Sequence, residues 1–162
     1  MIVRTAVTPV KIWYWQADSQ GCGYYRCMLP AHALADAGHQ VAYNEIMPGW
    51  VKEPGAVDVL VAQRTCNEGP TKTWQELARR EDRPKLVFEL DDDLWSIDPA
   101  NKQAAGFYTP ERLARLEANI AVSDVVTVTT EPLADVVSQW NANVHVVSNQ
   151  IPAWLLDHQR PV

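Results

Sequence analysis

What the chain lacks narrows the field before any motif is considered. No stretch of about 18 apolar residues occurs, so no segment reads as a membrane-spanning helix. The opening "MIVRTAVTPVKI" is too short and too interrupted for a signal peptide. No run of lysines or arginines offsets a net charge of −6 and a pI near 5.1, which argues against nonspecific binding to nucleic acid or to an anionic membrane. The three cysteines, Cys22, Cys27 and Cys66, are odd in number and lack zinc spacing, and the four histidines form no ligand pair at helical spacing. This usage reads as reduced thiols in a cytosolic compartment. Internal repeats and low-complexity linkers are missing too. What remains, 162 residues of which 47% are apolar and 21% charged, is ordinary globular composition. A domain of that size buries roughly 70% of its unfolded surface and needs no staple.

What is present alternates. Short β-rich runs, "VKIWYWQ" (10–16), "QVAYNEI" (40–46), "DVLVAQR" (58–64), "KLVFEL" (85–90), "DVVTVTT" (124–130) and "NVHVVS" (143–148), are separated by helical stretches. Several runs show little alternation, as expected for strands covered on both faces. Helices are predicted over 24–37, ending at a left-handed Gly38, and over 71–80, with Trp74, Leu77 and Ala78 on one face. Two more are predicted over 110–121, capped by Thr109 ahead of Pro110 and Glu111, and over 131–140, following Thr130. Pro30 conflicts with the first helix, which must start near Leu29 or kink there. The pattern predicts an α/β, Rossmann-like doubly wound domain: a mainly parallel sheet of about six strands with helices on both faces. It occupies residues 1–150, and "IPAWLLDHQRPV" (151–162) follows as a linker-like tail.

In such sheets ligands bind beyond the carboxyl ends of the strands. The first of these loops, "GCGYYR", holds Gly21, Cys22, Gly23 and Arg26. Glycines permit close approach, and a helix start offers free N–H groups, so pyrophosphate is the natural guest; a glycine turn without a ligand is the alternative. Arg26 stands where a dinucleotide fingerprint has its third glycine, and is placed to offer a guanidinium to a phosphate or carboxylate. Glu45, near the end of the second strand, keeps a ribose-binding, nicotinamide reading open. Arg64, Thr65 and Asn67 follow the third strand, and Thr129, Thr130 and Glu131 close the fifth.

The fourth strand ends in "DDDLW". Three adjacent carboxylates cannot all be buried unpaired. They are consistent with a solvated loop in which one aspartate caps the next segment, with a magnesium site, with binding of sugar hydroxyls, or with a general base. Of the seven tryptophans, most are expected in the core; Trp50 and Trp95 are expected near the crevice, where a flat ring either packs on a sugar or is simply buried.

Together these segments resemble a family. "GCGYYRCMLPAHALADAGHQV" is similar to the first loop and helix of GT-B glycosyltransferases, especially the family 4 group and its bacterial and bacteriophage relatives. "KLVFELDDDLWSIDP", "SDVVTVTTEPLADVV" and "NVHVVSNQIP" resemble its fourth-strand, fifth-strand and interdomain segments. Gln150 and Ser148 depart from the last of these patterns, where glycine and proline are usual.

The resemblance implies a Rossmann-like N-terminal domain that binds the acceptor of a hexosyl transfer from a nucleotide-sugar donor, UDP- or GDP-linked. Gly21, Cys22, Gly23 and Arg26 would reach the donor diphosphate. Asp91, Asp92 and Asp93 are the candidate catalytic residues, and Arg64, Trp95 and Thr130 the candidate acceptor contacts. No tightly bound cofactor or metal is implied. The donor-binding C-terminal domain would be missing, leaving a half-enzyme that is inactive alone, with Trp154 and Leu155 in an exposed linker able to drive a homodimer. A nicotinamide-dependent oxidoreductase and a noncatalytic carbohydrate- or protein-binding module are the competing expectations.

Overall fold

The computed structural model describes residues 8–152. The expectations attached to Trp154 and Leu155 fall outside that range. Six strands form one parallel sheet: β1 (Lys11–Trp15), β2 (Gln40–Asn44), β3 (Val59–Gln63), β4 (Lys85–Leu90), β5 (Val125–Val128) and β6 (Val144–Val146), in the order β2-β1-β3-β4-β5-β6. Every strand is where the apolar runs predict it, trimmed by a residue or two. The chain steps outward from β1 to β2, then crosses back to place β3 on the other side of β1. That reversal between β1 and β3 is the topological switch point, and a crevice opens there beyond the strand ends.

Strand alternation splits the core in two. Trp13, Trp15, Leu60, Ala62, Phe88 and Leu90 face the larger cluster, which buries Trp74 and Leu77 of α2 (Glu68–Ala78). A short helix α3 (Lys102–Phe107) comes next, then α4 (Pro110–Val122), whose Leu116 and Ile120 enter the same cluster, and α5 (Glu131–Val137), which adds Leu133 and Val137. Tyr14 and Val61 point the other way, against Cys27 and Ala31 of the first helix. Two elements go beyond the predicted set. A 3-10 turn covers Gly49–Lys52, and α3 is started by Asn101, whose Oδ1 accepts from the Ala104 amide at 3.2 Å.

The first helix, α1, resolves the Pro30 conflict by a route the sequence did not indicate. It begins early, as an α-turn at Gly21–Gly23, widens to a π-helix over Tyr24–Met28, and returns to α geometry over Leu29–Asp36. The Leu29 amide reaches back to the Tyr24 carbonyl. In regular α geometry the Pro30 ring would strike the carbonyl four residues earlier, that of Arg26. The widened turn absorbs this within an unbroken helix. At the other end Gly38 has φ +98°, with the His39 amide bonded to the Leu34 carbonyl and the Gly38 amide to that of Ala35, the closing pattern expected of a left-handed glycine.

Asp124 ties the start of β5 to its neighbour. It accepts from the Arg83 guanidinium and from the Leu86 amide, with Lys85 Nζ 3.4 Å away. The Arg83 hydrogen bonds, with the Leu86 amide, hold its carboxyl down at about 2 from an ordinary 3.8. A depressed carboxylate contributes stability above its unfolded pKa and loses it as pH falls toward the folded value. Asp124→Asn is therefore expected to cost roughly 1–2 kcal/mol at pH 7, after allowance for partial solvent screening. In urea titrations the gap to the unaltered protein should close between pH 4 and pH 2.

Candidate functional site

The loops after β1, β3, β4, β5 and β6 share one rim, and their side chains interlock. Asp18, in the loop after β1, is the hub. Its Oδ1 accepts from the amides of Gln20 (2.9 Å) and Gly23 (3.2 Å), and its Oδ2 accepts from the Arg64 guanidinium at 2.6 Å. Arg64 also lies 3.5 Å from Asp91. Its backbone is left-handed, at φ +47°, the one such non-glycine residue among those described. The strain is held in place by neighbours: the Arg64 amide bonds to the Glu89 carbonyl, and the Thr65 carbonyl accepts from buried Asn119 of α4 at 2.8 Å. Strain of this kind, over-determined by its surroundings, concentrates at functional sites.

The glycine loop, Arg64 and the aspartate bend thus converge. The use of the glycines, however, differs from the expectation. A Cβ on Gly23 would stand 1.7 Å from the Asp18 carbonyl oxygen, so the close approach that demands glycine is the chain's own backbone. The Gly23 amide is already bonded to Asp18. Gly21 meets nothing within 4 Å. The loop that looks built for an external anion carries its own carboxylate.

Arg26 is likewise committed elsewhere. It is buried, its Nε donating to Glu89 Oε1 at 2.6 Å and its Nη1 to the Val147 carbonyl and Asn149 Oδ1. Of Gly21, Cys22, Gly23 and Arg26, expected to reach a diphosphate, the Gly23 amide is occupied by Asp18 and the Arg26 guanidinium is tied to Glu89. Burial pushes the Glu89 carboxyl up to about 7, against the pull of Arg26.

The three aspartates separate into three roles. Asp91 faces inward toward Arg64, with its backbone carbonyl accepting from Thr129 Oγ1 at 2.7 Å. Asp93 accepts from the Trp95 amide and shapes the bend, which is the local capping use foreseen for one of the three. Asp92 is exposed, and burial of part of its carboxyl, with Asp91 beside it, raises its pKa above the usual range. Cys22 Sγ and carboxylate oxygens of Asp91 and Asp92 lie within 4.8 Å of one another. Partial burial and a hydrogen bond to Asp91 push the Cys22 thiol up to about 12, so it stays protonated. A cation placed there would meet the Arg64 guanidinium.

Two cavities flank the Arg64–Asp91 pair. One, of about 640 Å³, is lined by Asp91, Asp92, Asp93, Thr129, Thr130 and Ser148, among others. The second, of about 490 Å³, sits at the switch point between Gln16, Gln63, Arg64, Phe107 and Tyr108, with Glu45 at its edge. Among the described residues lining the two, Arg64 is the only cation, and it already faces two carboxylates. Such walls suit uncharged, hydroxyl-bearing molecules better than phosphates.

Thr130 lines the larger cavity while its hydroxyl caps α5, accepting from the Leu133 amide. Trp95 lines neither. Its ring stacks on Trp140 at 4.5 Å and its Nε1 donates to Glu117. Trp50 is not at the crevice: half-exposed, it packs edge-on against Trp13 at 5.4 Å, beside the amino-terminal half of β1. The sequence reading missed Asp18, Gln16, Gln63 and Tyr108. The glutamines did leave a signal, since each is the polar residue closing an otherwise apolar strand, in "WYWQ" and "VAQR". Compared with known proteins, the chain matches no family model, and no curated protein is significantly similar to it.

Proposed function

We propose that this chain is the acceptor-binding half of a glycosyltransferase that moves a hexose from a nucleotide-sugar donor, with the donor held by a second domain. The observation that carries the reading is the rim cavity walled by Asp91, Asp92, Asp93, Thr129 and Ser148, which offers carboxylate and hydroxyl oxygens and, among the described residues, no cation. A carboxylate accepts strongly from sugar hydroxyls, and Asp92, exposed and with a raised pKa, is the group best suited to take a proton from an attacking hydroxyl. The Arg64–Asp18 pair keeps Asp91 and the bend in place. A donor diphosphate would find no free amide at Gly23, and a nicotinamide dinucleotide would meet the same obstacle.

The test is an NMR titration of the 162-residue chain with neutral saccharides and, separately, with UDP and GDP. Saccharides are expected to shift the resonances of residues 91–93, Thr129 and Ser148, and the nucleotides to leave them still. Nucleotide binding with silent saccharides would overturn the reading. Asp92→Ala should weaken saccharide binding about 10- to 100-fold, the loss expected for a hydrogen bond to a charged group. Its melting temperature should not change, because the side chain is exposed.

A further inference from the structure

The strand order leaves β2 at one edge of the sheet and β6 at the other. Proteins guard such edges, because a row of unpaired N–H and C=O groups invites a further strand. The β6 edge is guarded by being only three residues long. The β2 edge, "QVAYN" over Gln40–Asn44, carries neither a charge nor a proline, and among the described residues no strand pairs with its outer side. Which of its backbone groups face outward follows from those that face inward. The Gln40 amide donates to the Val10 carbonyl and the Asn44 carbonyl accepts from the Gln16 amide, so Gln40, Ala42 and Asn44 bond inward to the β1 side. Successive residues of a strand alternate, which turns the N–H and C=O groups of Val41 and Tyr43 outward.

Those outward groups suit self-pairing. Two copies laid antiparallel about a two-fold axis through Ala42 bring Val41 of each opposite Tyr43 of the other, and each such pair exchanges both of its N–H···O bonds. A β-branched residue facing an aromatic one is also a favourable cross-strand pair. Gln40 then faces Asn44, amide to amide, and Ala42 faces Ala42, small enough for the close approach of a pair without hydrogen bonds. Just outside the strand His39 comes opposite Glu45. Its Nδ1 accepts from the Val10 amide at 3.2 Å, which leaves Nε2–H to donate to that carboxylate. No like charges meet. Apolar groups flank the seam as well: half-exposed Trp50 packs edge-on against Trp13, the β1 partner of Ala42, and lines one shallow cavity of about 290 Å³ with Ala42. Ile46, 77% exposed, follows the strand. An added strand would cover apolar surface that is otherwise left to solvent.

We infer that the outer edge of β2 is a dimerisation surface whose occupant is β2 of a second copy of this chain, paired antiparallel about Ala42 so that the two sheets run on as one. The seam lies at the opposite edge from β5 and β6, whose following loops help wall the rim cavity, so that cavity stays open in the dimer. The inference therefore stands or falls apart from the acceptor reading.

The experiment is sedimentation velocity on the 162-residue chain across a dilution series, with hydrogen exchange of the Val41 and Tyr43 backbone amides followed by NMR on the same samples. The expected result is a dimer in which both amides are protected, and lose that protection as dilution yields monomer, while the Gln40 and Ala42 amides stay protected throughout. Ala42 is exposed, so Ala42→Lys and Ala42→Glu should fold. Each sets like charges against one another across the axis and should weaken association about 10-fold or more. Mixed in equal amounts the two variants should regain the lost affinity, an outcome that misfolding does not imitate. A monomer at every concentration, a dimer that both variants leave intact, or a mixture that fails to associate overturns the inference. So does a monomer whose Val41 and Tyr43 amides are protected at every dilution, which would put another segment of this chain on the edge.

Discussion

Replacing Gly23 with alanine is expected to destabilise the protein by 3 kcal/mol or more, while the same change at Gly21 is silent or slightly stabilising. The two glycines are separated by one residue, and a phosphate-binding loop would need both. The added methyl at position 23 would lie 1.7 Å from the Asp18 carbonyl oxygen, a backbone atom that yields only if the whole loop shifts. Overpacking a tight site costs about 1–3 kcal/mol, and more when backbone must move. The shift would also pull Asp18 from Arg64 and from the Gly23 amide, undoing the hub of the rim. At Gly21 the methyl enters open space on the first turn of a helix, where alanine gains up to about 0.5–1 kcal/mol over glycine. Denaturant midpoints of the two variants, measured side by side, check the contrast. Equal losses at both positions would mean that the loop is not closed by Asp18.

Removing the Arg26 side chain should cost about 3–5 kcal/mol at pH 8, the range for breaking a buried ion pair at one end. Arg26 links three parts of the fold: α1, which carries it, β4 through Glu89, and the segment after β6 through Val147 and Asn149. The loss should depend on pH, and the sign follows from Glu89. Its folded carboxyl, at about 7, lies above its ordinary 4.5. The group is therefore most favourable to folding when protonated, below 4.5, and that advantage fades as pH rises through 7. Without Arg26 the folded pKa climbs further, so ionisation above pH 7 becomes costlier still. At pH 5 the group is neutral with or without Arg26, and the deficit shrinks to the lost hydrogen bonds to Glu89, Val147 and Asn149. Urea denaturation of Arg26→Met at the two pH values tests this, and adding Glu89→Gln should recover most of the loss at pH 8. A deficit independent of pH would rule out Glu89 as the group left stranded.

These expectations show where the sequence spoke and where it was silent. Six apolar runs located six strands, because apolar and β-branched content acts within a few residues. Gly38 announced the end of α1 for the same reason, since its left-handed backbone closes hydrogen bonds to carbonyls three and five residues earlier. Pro30 marked a conflict truly present, though the π-helical answer required the widened turn at Tyr24–Met28. Trp50 and Trp95 were legible as aromatics near loops. Their positions depended on Trp13 and Trp140, and no local rule selects those partners.

By itself, then, the sequence determined the parallel α/β framework and the set of loops that meet on one rim, since both follow from short-range periodicity and the rule for crossover connections. Tertiary structure alone decided who pairs with whom along that rim. Asp18 joins Arg64 across 46 residues, Arg26 joins Glu89 across 63, and Val147 lies 121 residues from the guanidinium that holds it. Strand order sets those meetings, and with them whether a glycine amide is open or taken. Composition and spacing carry no record of them, because each bond draws its energy from groups brought together only when β3 crosses back past β1.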